Sequence, residues 1–325
     1  MLLADAPRTR LDRGAAINRF KQLFEREGPI ILDGGLATQL ESMGFDIGGE
    51  LWSAALLASE PRAIIDAHRA YLDAGAECII SASYQASRAG FMSHGHSAAE
   101  ADRLIVSAVE LARTARDEYL SGNPDIQYQP VVAASIGPYG ATMHDGSEYT
   151  GDYDISDHDL RRFHSSRLQL LDNCGADVIA VETIPSFREV RILRDLLEEV
   201  TTLAWVSIAC RDERNISDGS RLRATASLFT NHPRVLAVGI NCTPPQFILP
   251  LIEEAKSAVP DKVIVVYPNS GETYHAEDNS WSGQACDLDN EFNVNDWYAA
   301  GAKLIGGCCR TSPEDITRIK GRLAS

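Results

Sequence analysis

Two adjacent thiols, Cys308 and Cys309, follow two glycines and a short apolar run from Ala302 to Ile305. Vicinal cysteines make a strained disulfide, and neighbouring side chains of a strand point to opposite faces, so both can meet one ion only where the backbone turns. Gly306 and Gly307 are expected to permit that turn. Cys242 has the same context, directly after the apolar run Val235 to Ile240. Three thiols at strand ends point to zinc, and three protein ligands leave the fourth tetrahedral position open for a reacting group. On the thiols alone, ordinary buried cysteines stay open as the plainer reading, because free Cys is among the most buried residue types. The spacing is not one of the paired CxxC patterns of a structural zinc site.

Carboxylates recur in comparable places. Asp33-Gly34-Gly35 closes the apolar run that starts at Ile30, and Glu182-Thr183 closes the run from Val178. Taken singly, Asp33 reads as a turn or cap residue and Glu182 as the buried partner of an arginine. Taken together, two carboxylates and three thiols with no lysine or histidine beside them fit a site that grips a cationic group and holds a soft metal. An amino acid carrying sulfur satisfies both.

The elements that must position these residues follow a single rhythm. The strands are expected at Ile30 to Asp33, Cys78 to Ser83, Val131 to Ser135, Val178 to Glu182, Leu203 to Cys210, Val235 to Asn241, Val263 to Tyr267 and Lys303 to Ile305. Most are nearly continuous apolar runs, as strands covered on both faces should be. Between them lie stripes at helical spacing: Ile64, Ala67, Tyr71 and Leu72; Leu104, Ala108, Leu111, Ala115 and Tyr119; Val190, Leu193 and Leu197; Ile248, Leu251, Ile252 and Ala255. Ser312 is the expected N-cap of a last helix entered through Pro313. Eight strand–helix pairs predict an α/β fold, a (β/α)8 TIM barrel of one domain over residues 29–325 behind an N-terminal extension of residues 1–28. A doubly wound open sheet is the alternative. The insertions Tyr139 to Ser156 and Asn269 to Asn290 both follow strands, which places them at the C-terminal mouth where barrel sites lie.

Composition narrows the partners. A net charge of −16 on 325 residues repels nucleic acid and anionic membrane surfaces, leaving small molecules as the expected substrates. Seven cysteines, odd in number and sparsely spaced, fit reduced thiols in the cytoplasm. No stretch approaches the roughly 20 apolar residues of a membrane span. A monomer or a small homo-oligomer is expected.

The ordered set Asp33-Gly34-Gly35, Trp52, Ser81-Ala82-Ser83-Tyr84-Gln85-Ala86-Ser87, Val181-Glu182-Thr183, Gly239-Ile240-Asn241-Cys242, Tyr267-Pro268-Asn269-Ser270-Gly271-Glu272 and Gly306-Gly307-Cys308-Cys309-Arg310 resembles the homocysteine S-methyltransferase family over about residues 28–323. The resemblance implies zinc held by Cys242, Cys308 and Cys309, with homocysteine as methyl acceptor. It implies that Asp33 and Glu182 receive the acceptor's ammonium, while amides near Gly34 and Gly35 and the hydroxyls of Ser81 and Ser83 meet its carboxylate. Trp52 and Tyr84 would face the methyl donor, with an aromatic face attracting an onium group by about 0.5–2 kcal/mol. Asn241 and Arg310 are expected to orient the metal ligands. Cys78, Cys174, Cys210 and Cys286 are expected to bind no metal.

The expected donor is a sulfonium: S-methylmethionine first and S-adenosylmethionine second, because no Gly-rich nucleotide loop is visible. The alternatives are betaine or a methylated corrinoid or folate with the same acceptor, and a zinc or thiol redox sensor without turnover. Only 16 residues follow Cys309, against the long extensions of the betaine-dependent and corrinoid-dependent relatives, which also favours the sulfonium.

Overall fold

The computed structural model describes residues 19–48, 52–143, 145–275 and 280–324. Ten strands occur among them: β1 (Ile30–Ile31), β2 (Cys78–Ile80), β3 (Val131–Ile136), β4 (Val178–Ile184), β5 (Ala204–Ile208), β6 (Val235–Asn241), β7 (Val263–Tyr267), β8 (Thr273–His275), β9 (Ser280–Ser282) and β10 (Ala302–Ile305). Eight form one parallel sheet in the order β1-β10-β7-β6-β5-β4-β3-β2. A parallel bridge between Leu32 and Cys78, with the Asp33 amide donating to the Cys78 carbonyl at 3.0 Å, joins its two ends. The sheet is thereby a closed (β/α)8 barrel with no exposed edge. The open doubly wound sheet is excluded. β8 and β9 form a separate antiparallel hairpin inside the insertion after β7, a segment the sequence presented as irregular.

The apolar runs become strands because both faces are covered. Ile30, Leu32, Val131, Ala133, Val178, Ala180, Trp205, Ala237, Val265 and Leu304 pack in the barrel interior. The alternate residues, such as Ile31, Val132, Ile179, Val206 and Ile264, pack outward against the helices. Period-2 alternation therefore decides what reaches the interior. Counting in twos from Ala133, Ala180, Trp205, Ala237 and Val265 sends Ser135, Glu182, Ser207, Asn241 and Tyr267 inward, near the C-terminal end.

Each barrel strand is followed by a helix: Pro61–Asp73, Ala98–Gly122, Asp157–Asp172, Phe187–Leu197, Leu222–Ala226, Ile248–Ala258, Val294–Ala299 and Pro313–Leu323. Their starts are written in the sequence. Ser97 with Glu100, and Ser312 with Asp315, form reciprocal capping boxes, and Pro313 occupies the first turn, where its missing N–H costs nothing.

The opposite end of the barrel is closed by residues 19–25, which are helical and bury Phe20 and Leu23 against the interior cluster. Charged contacts pin this segment. Arg19 meets Asp177 at 2.5 Å, Arg26 pairs with Glu77, and Lys303 donates to the carbonyls of Phe24 and Arg26 at 2.7 and 2.6 Å. Among the described residues no helix is long and apolar enough to cross a membrane.

Candidate active site

At the C-terminal mouth the three thiols come together. The sulfurs of Cys242, Cys308 and Cys309 all lie within 4.8 Å of one another, the one such group of potential metal ligands among the described residues. Cys242 stands 3.6 Å from Cys309. Two sulfurs held at about 2.3 Å by one tetrahedral zinc would be about 3.8 Å apart, so this spacing fits that ion. Cys78, Cys174 and Cys210 are buried elsewhere, and Cys286 lies in the insertion after β7.

Three thiols this close together, Cys242 buried and Cys308 and Cys309 half-buried, oppose one another's ionisation. The Cys309 thiol is held well below its ordinary value by hydrogen bonds from Cys242 and Cys308 and by the Tyr149 hydroxyl, against the cost of burial. Cys308 is pushed well above by its bonds to Cys242 and Cys309 and by burial. A divalent cation among the three would favour the thiolate form of each.

The turn that gathers the thiols differs from the expected one. Gly306 and Gly307 do not adopt left-handed φ; Arg310 (66°), Cys242 (46°) and Thr183 (59°) do. The glycines are required by close approach instead. A Cβ on Gly306 would lie 2.6 Å from that of Leu32, and one on Gly307 would lie 2.2 Å from Thr311 Oγ1. Left-handed backbone at three residues with side chains is strain concentrated at one site, and neighbouring contacts must hold it.

Asn241 supplies such contacts. Its Oδ1 accepts from the Thr183 amide and its Nδ2 donates to Thr183 Oγ1, both at 2.7 Å, while Nδ2 also reaches Cys308 Sγ at 3.9 Å. The Arg310 side chain behaves differently from the sequence expectation. It is partly exposed and points to Glu272, with Nε 3.2 Å from Oε2, while its amide donates to Thr38 Oγ1 at 2.9 Å. Arg310 thereby ties together loops around the mouth rather than touching the sulfurs.

A cavity of about 130 Å³ adjoins the thiols, with space for about four waters at roughly 30 Å³ each. Gly34, Gly35, Ser81, Tyr84, Glu148, Tyr149, Glu182, Thr183 and Tyr267 share its wall with the three cysteines, and none of its described lining residues is Lys, Arg or His. Glu182 accepts from the Ser135 hydroxyl, and burial pushes its carboxyl up to about 7 against that bond and one from Tyr267. Tyr267 is itself held by Ser207 at 2.5 Å and by the Trp205 indole at 3.2 Å. Asp33 sits just behind the wall. Its Oδ2 accepts from the Ile80 amide at 2.8 Å, and its buried Oδ1 has no partner among the described residues. Burial, with Glu182 nearby, holds its carboxyl well above the usual range.

The serines divide. The Ser83 hydroxyl donates to the Ser135 carbonyl at 2.8 Å, so the 2.9 Å contact between Ser83 and Ser81 must use the Ser81 proton, and the Ser135 amide donates to Ser81 at 3.2 Å. Both protons are spent, that of Ser81 on Ser83 and that of Ser83 on the Ser135 carbonyl of β3. Ser83, fully buried and absent from the cavity wall, is therefore a structural serine rather than the substrate contact expected from the sequence, while Ser81 reaches the wall with lone pairs only. Gly35 donates its amide to the Thr311 carbonyl at 3.0 Å. The Trp52 side chain lies outside the described residues.

Among the wall residues that escaped the sequence reading, two carry ionisable side chains. Glu148 and Tyr149 come from a 3₁₀ turn, Ser147–Tyr149, in the insertion after β3. The insertion was visible as a loop at the mouth, but nothing in its spacing marks which residue turns inward. Its course is set by Glu189, which accepts from the Tyr139 amide at 2.8 Å, from the Tyr153 hydroxyl and from His164 at 2.7 Å. The loop after β2 is held by the fully buried Arg167, whose guanidinium donates to the carbonyls of Gly137, Ser83 and Tyr84 at 2.9, 3.0 and 2.6 Å.

The homocysteine S-methyltransferase family model matches residues 30–323. A homocysteine S-methyltransferase of Bacillus subtilis, YbgG, is 46% identical over 93% of this chain and 97% of its own length. One from Escherichia coli is 42% identical over 94% and 98%. The crystal structure of the E. coli homocysteine methyltransferase MmuM in its metallated form superposes with a TM-score of 0.83 at 41% identity, covering 94% of this chain and all of that one. With the thiol triad and carboxylates at the mouth of a matching barrel, the chain belongs to the homocysteine S-methyltransferase family of enzymes.

Proposed function

We propose that this enzyme transfers a methyl group from a sulfonium donor, S-methylmethionine in preference to S-adenosylmethionine, to the sulfur of L-homocysteine, with zinc on Cys242, Cys308 and Cys309. The observation that carries this reading is the convergence of three thiols and the Glu182 and Glu148 carboxylates, with Asp33 just behind them, on one cavity whose described wall has no basic side chain. Zinc, when bound, supplies the Lewis acidity that lets a thiol with a pKa near ~8.5 react as a thiolate at neutral pH.

The protein's own groups do the rest. Glu182 and Asp33 accept the homocysteine ammonium, which supplies the buried Asp33 Oδ1 with the donor it lacks. The Gly34 amide meets its carboxylate. Asn241 holds Cys308, and Tyr149 holds Cys309, in place. Tyr84 and Tyr149 present aromatic rings to the onium, and Trp52 follows the same reading by the family resemblance.

The homocysteine thiol gives up its proton to solvent, and its sulfur forms the new S–CH3 bond as the donor's S–CH3 bond breaks with its electron pair staying on the leaving sulfur, which departs as a neutral thioether. With S-methylmethionine both organic products are methionine. The acids orient the substrates and exchange no proton with them. A cavity of this size favours the smaller sulfonium over the adenosyl compound. The test is turnover of zinc-loaded enzyme with homocysteine and each donor at equal concentration. Rates should fall from S-methylmethionine to S-adenosylmethionine to betaine; robust turnover with betaine and none with either sulfonium would overturn the assignment.

A further inference from the structure

Glu148 is only 5% exposed, yet it lines the cavity, and its Oε2 has no hydrogen-bond partner among the described residues. A carboxylate taken out of water is costly unless a cation or a set of donors meets it. No basic side chain is among the described wall residues. Nor is Glu148 there by slack in the loop. A Cβ on Gly140 would lie 2.5 Å from the Glu148 nitrogen, so the two backbone segments touch, and Glu189 anchors the loop on either side at Tyr139 and Tyr153. The unpaired acceptor is buried on a residue of the cavity wall, and a donor group has to come from what the cavity binds.

Of the three carboxylates at this mouth, Asp33 sits behind the wall with Glu182 nearby, whereas Glu148 shares the turn Ser147–Tyr149 with Tyr149 and the cavity wall with Tyr84 and Tyr149. The first pair is committed to the acceptor amino acid by the reading above. Glu148 belongs with the aromatic side of the cavity, where the second substrate would lie. A sulfonium has no N–H, so an unpaired carboxylate oxygen beside it gains only charge attraction; an ammonium also gives Oε2 the hydrogen bond it lacks.

Resting on the proposed sulfonium chemistry, we infer that Glu148 is a donor-specificity residue whose Oε2 accepts a hydrogen bond from the α-ammonium of the methyl donor, while Tyr84 and Tyr149 face its sulfonium. The enzyme then selects sulfonium amino acids over sulfonium acids and over betaine, which carries no second cationic group.

The experiment compares Glu148→Gln with wild type, both zinc-loaded. Calorimetry would measure binding of S-methylmethionine and of 4-dimethylsulfoniobutyrate, which keeps the sulfonium and carboxylate and lacks only the amino group. A charged hydrogen bond of about 1.5–3 kcal/mol corresponds to a weakening of roughly tenfold to a hundredfold. S-methylmethionine should weaken by at least about tenfold in the variant. The deamino compound should bind the two proteins equally, and homocysteine KM and zinc content should not change. Unchanged S-methylmethionine binding, equal weakening of both sulfoniums, or a raised homocysteine KM would each overturn the assignment. Because binding is read without turnover, a wild-type enzyme that failed to transfer methyl would count against the proposed function and leave this comparison decisive for Glu148.

Discussion

Replacing Asn241 with Ala probes the link between backbone strain and metal binding. Asn241 is fully buried and clamps Thr183 through two bonds of 2.7 Å. Truncation leaves the buried Thr183 amide without an acceptor, at a cost of about 1–3 kcal/mol, and forfeits a second bond worth about 1 kcal/mol. Relaxation of Thr183 from its φ of 59° would return part of about 1–3 kcal/mol of strain, but only if the backbone beside Glu182 moves. The expected net loss is about 2–3 kcal/mol. Cys308 also loses its Asn241 neighbour at 3.9 Å, and loss of a partner that orients a metal ligand typically lowers affinity by about 10–100-fold. Urea unfolding with and without excess zinc gives the first quantity, and competition against a chromophoric chelator gives the second. Thr183→Gly, which accepts left-handed φ freely, should make the two substitutions non-additive if the clamp serves to hold that strain. An Asn241→Ala protein within about 0.5 kcal/mol of wild type, with unaltered zinc competition, would refute the reasoning.

Two further outcomes follow from the same geometry. Cys308→Ser should retain no stoichiometric zinc through chelation and dialysis and should lose turnover, because a hydroxyl is a far poorer ligand than a thiolate for this ion; full occupancy with normal activity would remove Cys308 from the ligand set. Glu182→Gln should keep its metal while raising homocysteine KM by about tenfold or more. It should also flatten a pH dependence. The native Glu182 carboxyl, raised by burial from 4.5 to about 7, keeps a proton that the unfolded chain has lost, so its contribution is fully present below about pH 4.5 and fades as pH rises through 7. The span is on the order of 3 kcal/mol, and urea midpoints at pH 5 and pH 8 should converge in the variant relative to wild type. Identical pH profiles in the two proteins would show that Glu182 does not carry this linkage.

The barrel was legible in the chain because strands covered on both faces must be apolar throughout, and the runs at Val131, Val235 and Val263 obey that rule with no help from distant residues. The thiols were legible for a related reason. Cys242 and Cys308 stand at strand ends, and barrel topology sends every such end to one mouth. What the tertiary structure alone decided is which polar atoms at that mouth remain unspent. Ser83 looks like a ligand in sequence and is consumed by Ser135; Gly306 and Gly307 look like hinge residues and are instead spacers against Leu32 and Thr311. Glu148, in an insertion without periodicity, faces the cavity because Gly140 and Glu189, 8 positions before it and 41 after it, fix the loop. Local pattern reports which elements form; hydrogen-bond accounting across elements requires the positions of partners far apart in the chain, and those exist only once the barrel has closed.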